Sequence, residues 1–442
     1  MAYLERLIEP RLQVLLNDVP AVLITGPRAS GKTTTARRFA KTFVRLDDPE
    51  TNLLFRQAPD HALHNREEPV LLDEWQAAPE VIGAIKRAVD DEPHAGRFLL
   101  TGSASIDLAG PTWPGTGRLI RLPMFGLAQC EIERRPASRA LIDVLLDQPS
   151  RLLDVSTDLA VGDYVELALK SGFPTPALHT SAATRTEWLT SYLDDCFARD
   201  IPALRTVRDP DRLRRLFEAI AANTAGVIDD KTLHDAASLD RKTALIYEGL
   251  FEALDITARV PAYSTNRLKR LVERPKRYVT DAGLVGAILD LDREAVMRDG
   301  RLLGPLVDTF AFSQLRADVV RSEAPRARIF HLRTDGGRQE IDLLVDLGRR
   351  GLIAFEIKAA GSPTDRDARH LRWLKREISE RDVAAAVLHT GPRAYPLSDG
   401  VLALPIASFW NTPGTRDLRT PGPTASARHP GRRATRGSSQ LR

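Results

Sequence analysis

Cysteine is nearly absent from this chain: Cys130 and Cys196 are the only two in 442 residues. That excludes a disulfide framework and an all-cysteine zinc cluster, and it fits a reducing compartment. Long apolar runs are missing too. No stretch approaches the ~18 uninterrupted apolar residues of a membrane span, so no membrane association is expected. The opening residues Met1-Ala2-Tyr3-Leu4-Glu5-Arg6 are charged and amphipathic and lack the apolar core of a secretory signal, which points to the cytoplasm. The nine histidines are scattered, with no H-x-x-x-H or Cys/His spacing to suggest zinc. No G-x-S-x-G elbow and no convincing Ser/His/Asp arrangement is found, which argues against a serine hydrolase. Lysine is scarce: ten stand against 53 arginines.

Hydrophobic residues make up 43% of the chain, so sizeable cores can be buried. The length suggests two to four domains at roughly 100–200 residues each. The net charge is +4, but seven Arg and one Asp between Asn411 and Arg442 put +6 in the tail and leave −2 for the remainder. A globally basic, DNA-coating surface is therefore not supported, whereas a local basic patch stays open. The tail is rich in Pro, Gly, Ser, Thr and Arg without apolar period, so it is expected to be disordered.

The first part alternates apolar runs with helical segments. Ala21–Thr25, Pro69–Leu72 and Arg97–Thr101 read as buried strands; Ser30–Phe43 and Pro79–Asp90 read as helices. Continuous apolar strands between helices imply a parallel sheet covered on both faces. Between the first strand and helix lies Gly26-Pro27-Arg28-Ala29-Ser30-Gly31-Lys32-Thr33, followed by Thr34, which matches the G-x-x-x-x-G-K-[ST] phosphate loop. Its glycines let backbone amides turn toward phosphate oxygens at a helix N-terminus. Lys32 brings a charge to the β and γ oxygens, and the Thr33 hydroxyl is a Mg²⁺ ligand. ATP and Mg²⁺ are the expected ligands. Downstream, the apolar run Val70-Leu71-Leu72 ends in Asp73 and Glu74. Asp73 is assigned to the Mg²⁺ shell and Glu74 to polarising the attacking water as general base. The next strand ends in Thr101-Gly102-Ser103, where Ser103 is a candidate hydrogen-bond donor to the γ-phosphate or the water. Arg118, after Gly115-x-Gly117, is a candidate charge donor to the γ-phosphate, in cis or from a neighbouring subunit. Trp75 is read as a packing residue.

These motifs resemble the AAA+ ATPases. In particular they resemble a prokaryotic group in which such an ATPase precedes a domain of unknown function, DUF4143. Two further stretches carry the resemblance: Ser171-Gly172-Phe173-Pro174 with Arg199-Asp200-Ile201, and Arg274-Pro275-Lys276-Arg277-Tyr278-Val279-Thr280-Asp281-Ala282-Gly283-Leu284. The likeness spans about residues 5–390 and implies an ATP-hydrolysing enzyme.

Beyond the ATPase part, residues of about 162–291 are mostly helical by period. Arg212–Asn223, Lys231–Ala237 and Arg241–Leu254 resemble a winged kind of helix-turn-helix. As a DNA reader, it would use Arg241, Lys242 and Thr243 at the start of its second helix; as a structural element, it would pack domains or a partner. Asp229, Asp230, Asp235 and Asp240 nearby blunt its positive potential.

The last ordered part returns to strands, Ile329–Leu332, Gln339–Asp346 and Leu352–Lys358, then a helix Asp365–Glu380 and a strand Ala384–His389. Asp342 and the Glu356-x-Lys358 pair lie on adjacent apolar strands, where 356 and 358 share a face. This resembles the D…(D/E)-x-K core of restriction-endonuclease-like domains, in which two carboxylates hold Mg²⁺ and a lysine handles water. Asp308 is placed to supply the further acid from a helix; related ATPases look glutamate-like there, so an Asp shortens the reach. Gln339 and Glu340 are lesser candidates. The alternative is a fold that persists after catalysis is lost.

The expected fold class is thus α/β: a P-loop NTPase (AAA+-type) parallel sheet over 1–135, then a helical, winged-helix-like domain over 150–295, taken as the DUF4143 part, then a nuclease-like α/β domain over 296–410, and a disordered basic tail over 411–442. Two functions follow: an ATPase coupled to DNA binding or processing, or an ATP-dependent switch with a silent nuclease-like domain. A homo-oligomer or a protein partner fits either.

Overall fold

Strand β1 (Ala21–Thr25) sends Ala21 and Leu23 into one apolar cluster and Val22 and Ile24 into another, so neither face of this strand meets water. The same alternation holds for β3 (Val70–Asp73) and β4 (Phe98–Thr101), which is why these strands read as unbroken apolar runs. With β2 (Thr42–Arg45) and β5 (Leu119–Pro123) they form a five-stranded parallel sheet in the order β2-β3-β4-β1-β5. The computed structural model describes residues 3–102, 117–135, 139–204, 209–263, 274–324, 326–334, 338–378 and 380–412. The tail from 413 onward, expected to be disordered, lies outside the described residues.

The helix after the phosphate loop is shorter than its sequence suggests. It runs only over Lys32–Ala36, where an expected helix extended to Phe43, and β2 takes up Thr42 and Phe43. Three consecutive threonines, Thr33 to Thr35, are poor helix formers, and Phe43 is needed as a strand residue beside Leu71.

The middle of the chain packs the helices Val161–Lys170, Ala182–Asp195, Pro210–Ala222, Asp230–Ala236 and Arg241–Ala253. A hairpin of β6 (Thr257–Val260) and β7 (Lys276–Val279) follows. The helix Ala182–Asp195 runs on into a π-helical turn, Cys196–Asp200, an irregularity of the kind that accompanies functional positions.

The last part is a six-stranded mixed sheet in the order β12-β13-β11-β10-β9-β8. Its strands are β8 (Arg328–Arg333), β9 (Glu340–Asp346), β10 (Leu352–Lys358), β11 (Val383–His389), β12 (Tyr395–Pro396) and β13 (Leu402–Pro405). β8, β9 and β10 form an antiparallel meander; the helix Arg369–Glu377 then brings β11 back parallel to β10. That helix covers one face, through Leu371 and Leu374. The long helix Gly300–Arg321 covers the other, through Leu306, Phe310 and Phe312. One apolar cluster runs from the middle helices into this sheet, joining Phe217 and Phe251 to Phe355 and Leu388. No described helix is long and apolar enough to cross a membrane.

Candidate functional site

The phosphate loop lies at the C-terminal end of β1. Gly26 has φ +147°, and a Cβ there would sit 1.9 Å from the Met124 carbonyl oxygen, so only glycine fits. Ala29 (φ 57°) and Gly31 (φ 93°) supply the remaining left-handed turns that curl the loop. Ser30 is fully buried and donates to the Pro27 carbonyl at 2.9 Å. The Lys32 ammonium folds over the loop and donates to the carbonyls of Gly26 (3.0 Å) and Pro27 (2.7 Å). Burial pulls the Lys32 pKa down to about 8, against the opposing pull of Glu74, Asp255 and Asp73.

Forty residues on, Asp73 ends β3 and accepts from the Thr33 hydroxyl at 2.7 Å. It also accepts a close hydrogen bond from Thr101, at the end of the intervening β4. A hydroxyl and a carboxylate side by side form a hard, oxygen-only donor pair, which fits Mg²⁺ with its other positions left to phosphate and water. Glu74 turns out of the strand in a left-handed conformation (φ 54°), and Gln76 donates a close hydrogen bond to its carboxylate. Burial raises the Glu74 pKa and Lys32 pulls it back, a setting suited to a general base.

Several contacts at the loop were not legible in the sequence. Arg6 is 6% exposed and donates to the carbonyls of Ser30 (2.7 Å) and Phe125 (2.8 Å) while paired to buried Glu131 at 2.9 Å. Arg28 pairs with Asp200, at the end of the π-helical turn. Arg316, on the long helix, pairs with Asp255 and lies 3.7 Å over the Phe125 ring. The two stretches that carry the family resemblance meet here as well. Asp281 accepts from Ser171 Oγ (3.0 Å) and Gly172 N (2.7 Å), and the Gly172 carbonyl accepts from Leu127 N. A Cβ on Gly172 would come within 2.8 Å of the Leu127 oxygen, so the close approach requires glycine.

Arg118 is not at this site. It precedes β5 at the end of the sheet opposite the phosphate loop, because Leu119 pairs in register with Ala21 at the start of β1. There it forms a two-pronged contact with Asp90, at 2.8 and 3.2 Å. A cis role toward the γ-phosphate is therefore corrected: a strand's length separates the two. Ser103 lies outside the described residues.

The C-terminal residues do converge, around a group that sequence reasoning left out. The Lys276 ammonium, from β7, donates to Asp308 Oδ2 at 2.7 Å and to Asp342 Oδ1 at 2.9 Å. Tyr278, two residues on and on the same face, donates to Asp308 Oδ1 at 2.9 Å. The Ile357 amide donates to Asp342 Oδ2 at 2.9 Å, and Lys358 donates to Glu356 Oε1 at 2.7 Å. Burial pushes the Asp308 pKa up to about 6 and the Glu356 pKa up to about 8, while Lys276 helps hold Asp342 below the usual carboxylate range. Gln339 instead contacts His370, and Glu340 faces Arg333. Among the described residues, no three His, Cys, Asp or Glu side chains are placed to hold one metal ion.

In the helical middle, Arg241 and Lys242 are exposed, whereas Asp240 caps their helix through Thr243 N (3.1 Å) and Oγ1 (2.6 Å). The other nearby acids are paired: Asp229 with Arg274, Asp235 with Lys231, and Asp230 with Arg277. Arg277 also meets buried Glu248 at 3.0 Å.

Comparison with known proteins gives three family matches. Residues 18–133 match the family described as AAA domain. Residues 161–295 match a domain of unknown function, DUF8612, and residues 303–409 match DUF4143. The DUF4143 match thus falls on the mixed sheet and not on the helical middle. Two curated relatives, uncharacterized protein Mb2031c of Mycobacterium bovis and uncharacterized protein Rv2008c of Mycobacterium tuberculosis, are each 26% identical over 414 residues, covering 92% of this chain and 85% of theirs. Among solved structures, the Walker-type ATPase PABY2304 of Pyrococcus abyssi is similar with a TM-score of 0.38 at 11% identity, over 65% of this chain and 96% of that one. The AAA match encloses the phosphate loop and the Asp73–Glu74 strand end and supports ATP binding and hydrolysis.

Proposed function

We propose that this chain is a Mg²⁺-dependent ATPase whose nucleotide state is read by its middle and C-terminal domains. The observation that carries the reading is the 2.7 Å contact of Thr33 with Asp73, under a loop over which the Lys32 ammonium is buried. The loop amides would hold the phosphate oxygens, and Lys32 would exchange two loop carbonyls for the β and γ oxygens. Thr33 and Asp73 would hold Mg²⁺, which when bound neutralises charge on the phosphates. Glu74, oriented by Gln76, would take the proton of the attacking water. Ser103, two residues past Thr101, is retained as a donor to the γ-phosphate. Arg118 would serve only a neighbouring chain's nucleotide.

The readout is supported by Asp200, Asp255 and Arg316, which reach the loop or its flank from outside the first sheet. A triphosphate competes with Asp200 for Arg28, so binding and domain docking are coupled. Calorimetry tests the assignment: wild-type protein should bind ATP with Mg²⁺, and Lys32→Ala should lose binding and turnover. Undiminished turnover in Lys32→Ala would remove the phosphate-loop assignment.

A second reading, coupling to DNA, draws on the three helices and hairpin of the middle domain, with Arg241 and Lys242 exposed at a helix start. Fluorescence anisotropy with a duplex should then show salt-dependent binding that weakens in an Arg241→Ala, Lys242→Ala double variant. The meander, helix and returning parallel strand of the last domain support reading it as nuclease-like in layout.

A further inference from the structure

The acids expected to hold Mg²⁺ in the C-terminal domain are already neutralised from within the chain. We infer that Lys276 is the resident cation of this centre, standing where a nuclease-like domain would hold its metal, so that the domain takes no divalent ion and cuts no phosphodiester bond. The inference rests on the nuclease-like reading of the last domain and not on the ATPase assignment.

The geometry argues for replacement over coexistence. The ammonium sits between one oxygen of Asp308 and one of Asp342, at 2.7 and 2.9 Å, which are full charge-assisted hydrogen bonds. A divalent ion at this point needs the same two oxygens at about 2.0–2.1 Å and cannot share them with a lysine. The spare oxygens are committed as well: Asp308 Oδ1 to Tyr278 and Asp342 Oδ2 to the Ile357 amide. Charge agrees: Asp308 and Asp342 both lie within ion-pair distance of the buried Lys276 ammonium, and Glu356 is paired to Lys358.

Nor is Lys276 a plug that withdraws. All four residues of β7 are buried, and Tyr278 stacks on Phe312 of the long helix, with ring centroids 4.0 Å apart and planes 21° from parallel. Arg277, between them, is locked to Glu248 on the opposite side. Pulling Lys276 out would take Tyr278 from the core shared by the two domains, so the cation stays whether or not nucleotide is bound.

The test uses the full chain without nucleotide and Mn²⁺ as the probe, read by the loss of the free-ion electron paramagnetic resonance signal. Wild type and Asp342→Asn should both leave the ion free. Lys276→Met should gain a single Mn²⁺ site per chain, and the gain should vanish in Lys276→Met/Asp342→Asn. Supercoiled plasmid should survive the wild type with Mg²⁺ or Mn²⁺, with or without ATP. Mn²⁺ bound by wild type but not by Asp342→Asn, or plasmid nicking lost in Asp342→Asn, overturns the inference and leaves the nuclease-like reading intact. A folded Lys276→Met that gains no Mn²⁺ removes both, since the carboxylates would then form an ordinary ion pair. Should Lys276→Met fail to fold, the wild-type and Asp342→Asn arms decide alone.

Discussion

The Asp200→Asn substitution should tighten ATP binding. Asp200 is 7% exposed and pairs with Arg28, whose side chain is half in water and belongs to the phosphate loop itself. The change is isosteric, removes one negative charge from the wall of the nucleotide site and releases Arg28 from that carboxylate. Exposed pairs contribute ~0–1 kcal/mol and breaking buried ones costs ~3–5 kcal/mol. With one partner buried and the other half-solvated, the contact should lie between, at about 1–2 kcal/mol. If a triphosphate must compete with Asp200 for Arg28, releasing that contact converts to a Kd lower by about 5–30-fold. Isothermal titration at fixed salt measures it, with circular dichroism to show that the fold is kept. Arg28→Met removes the same contact, so adding Asp200→Asn to it should change affinity little; a double-mutant cycle isolates the coupling. Unchanged or weaker ATP binding by a folded Asp200→Asn would refute the competition argument, and the pair would be a docking contact alone.

Glu74→Gln should keep ATP binding and lose ~10²–10⁴-fold in turnover, because only the base is removed; a phosphate-release assay beside a binding titration separates the two. Lys32 is pulled down to about 8 in the free protein, so at pH 8 about half the molecules should take up a proton on binding ATP, whose phosphates favour the ammonium. Titrations in buffers of different ionisation enthalpy should show that uptake, and it should disappear at pH 6, where the ammonium is already formed. Glu356 behaves in the opposite sense for stability. Its folded pKa, about 8, lies above the ordinary 4.5, so its favourable contribution is full below pH 4.5 and is lost as pH rises toward 8. Glu356→Gln should therefore gain in Tm relative to wild type between pH 5 and 8; a difference that shrinks over that range would contradict the burial argument.

Some elements could be read because their cause is local. β1, β3, β4 and β10 are apolar on both faces, and such runs announce buried strands. β2 was hidden because only Val44 is buried within it, and β5 because Ile120 and Arg121 face outward. β7 was the least legible strand. Its Lys276 and Arg277 read as solvent-facing charge, yet both are fully buried, since Asp308, Asp342 and Glu248 neutralise them from other elements.

The chain by itself determined the phosphate loop, the Asp73–Glu74 strand end and the acids of the C-terminal strands. These are short-range patterns, where residue type and spacing already imply a turn, a helix start or a shared strand face. Only the tertiary structure decided that Arg118 stands at the wrong end of the sheet, that Asp200 reaches Arg28 across 172 residues, and that a lysine sits among the acids expected to hold metal. An ion pair depends on distance in space and leaves no period along the chain, so which charges meet is settled by packing.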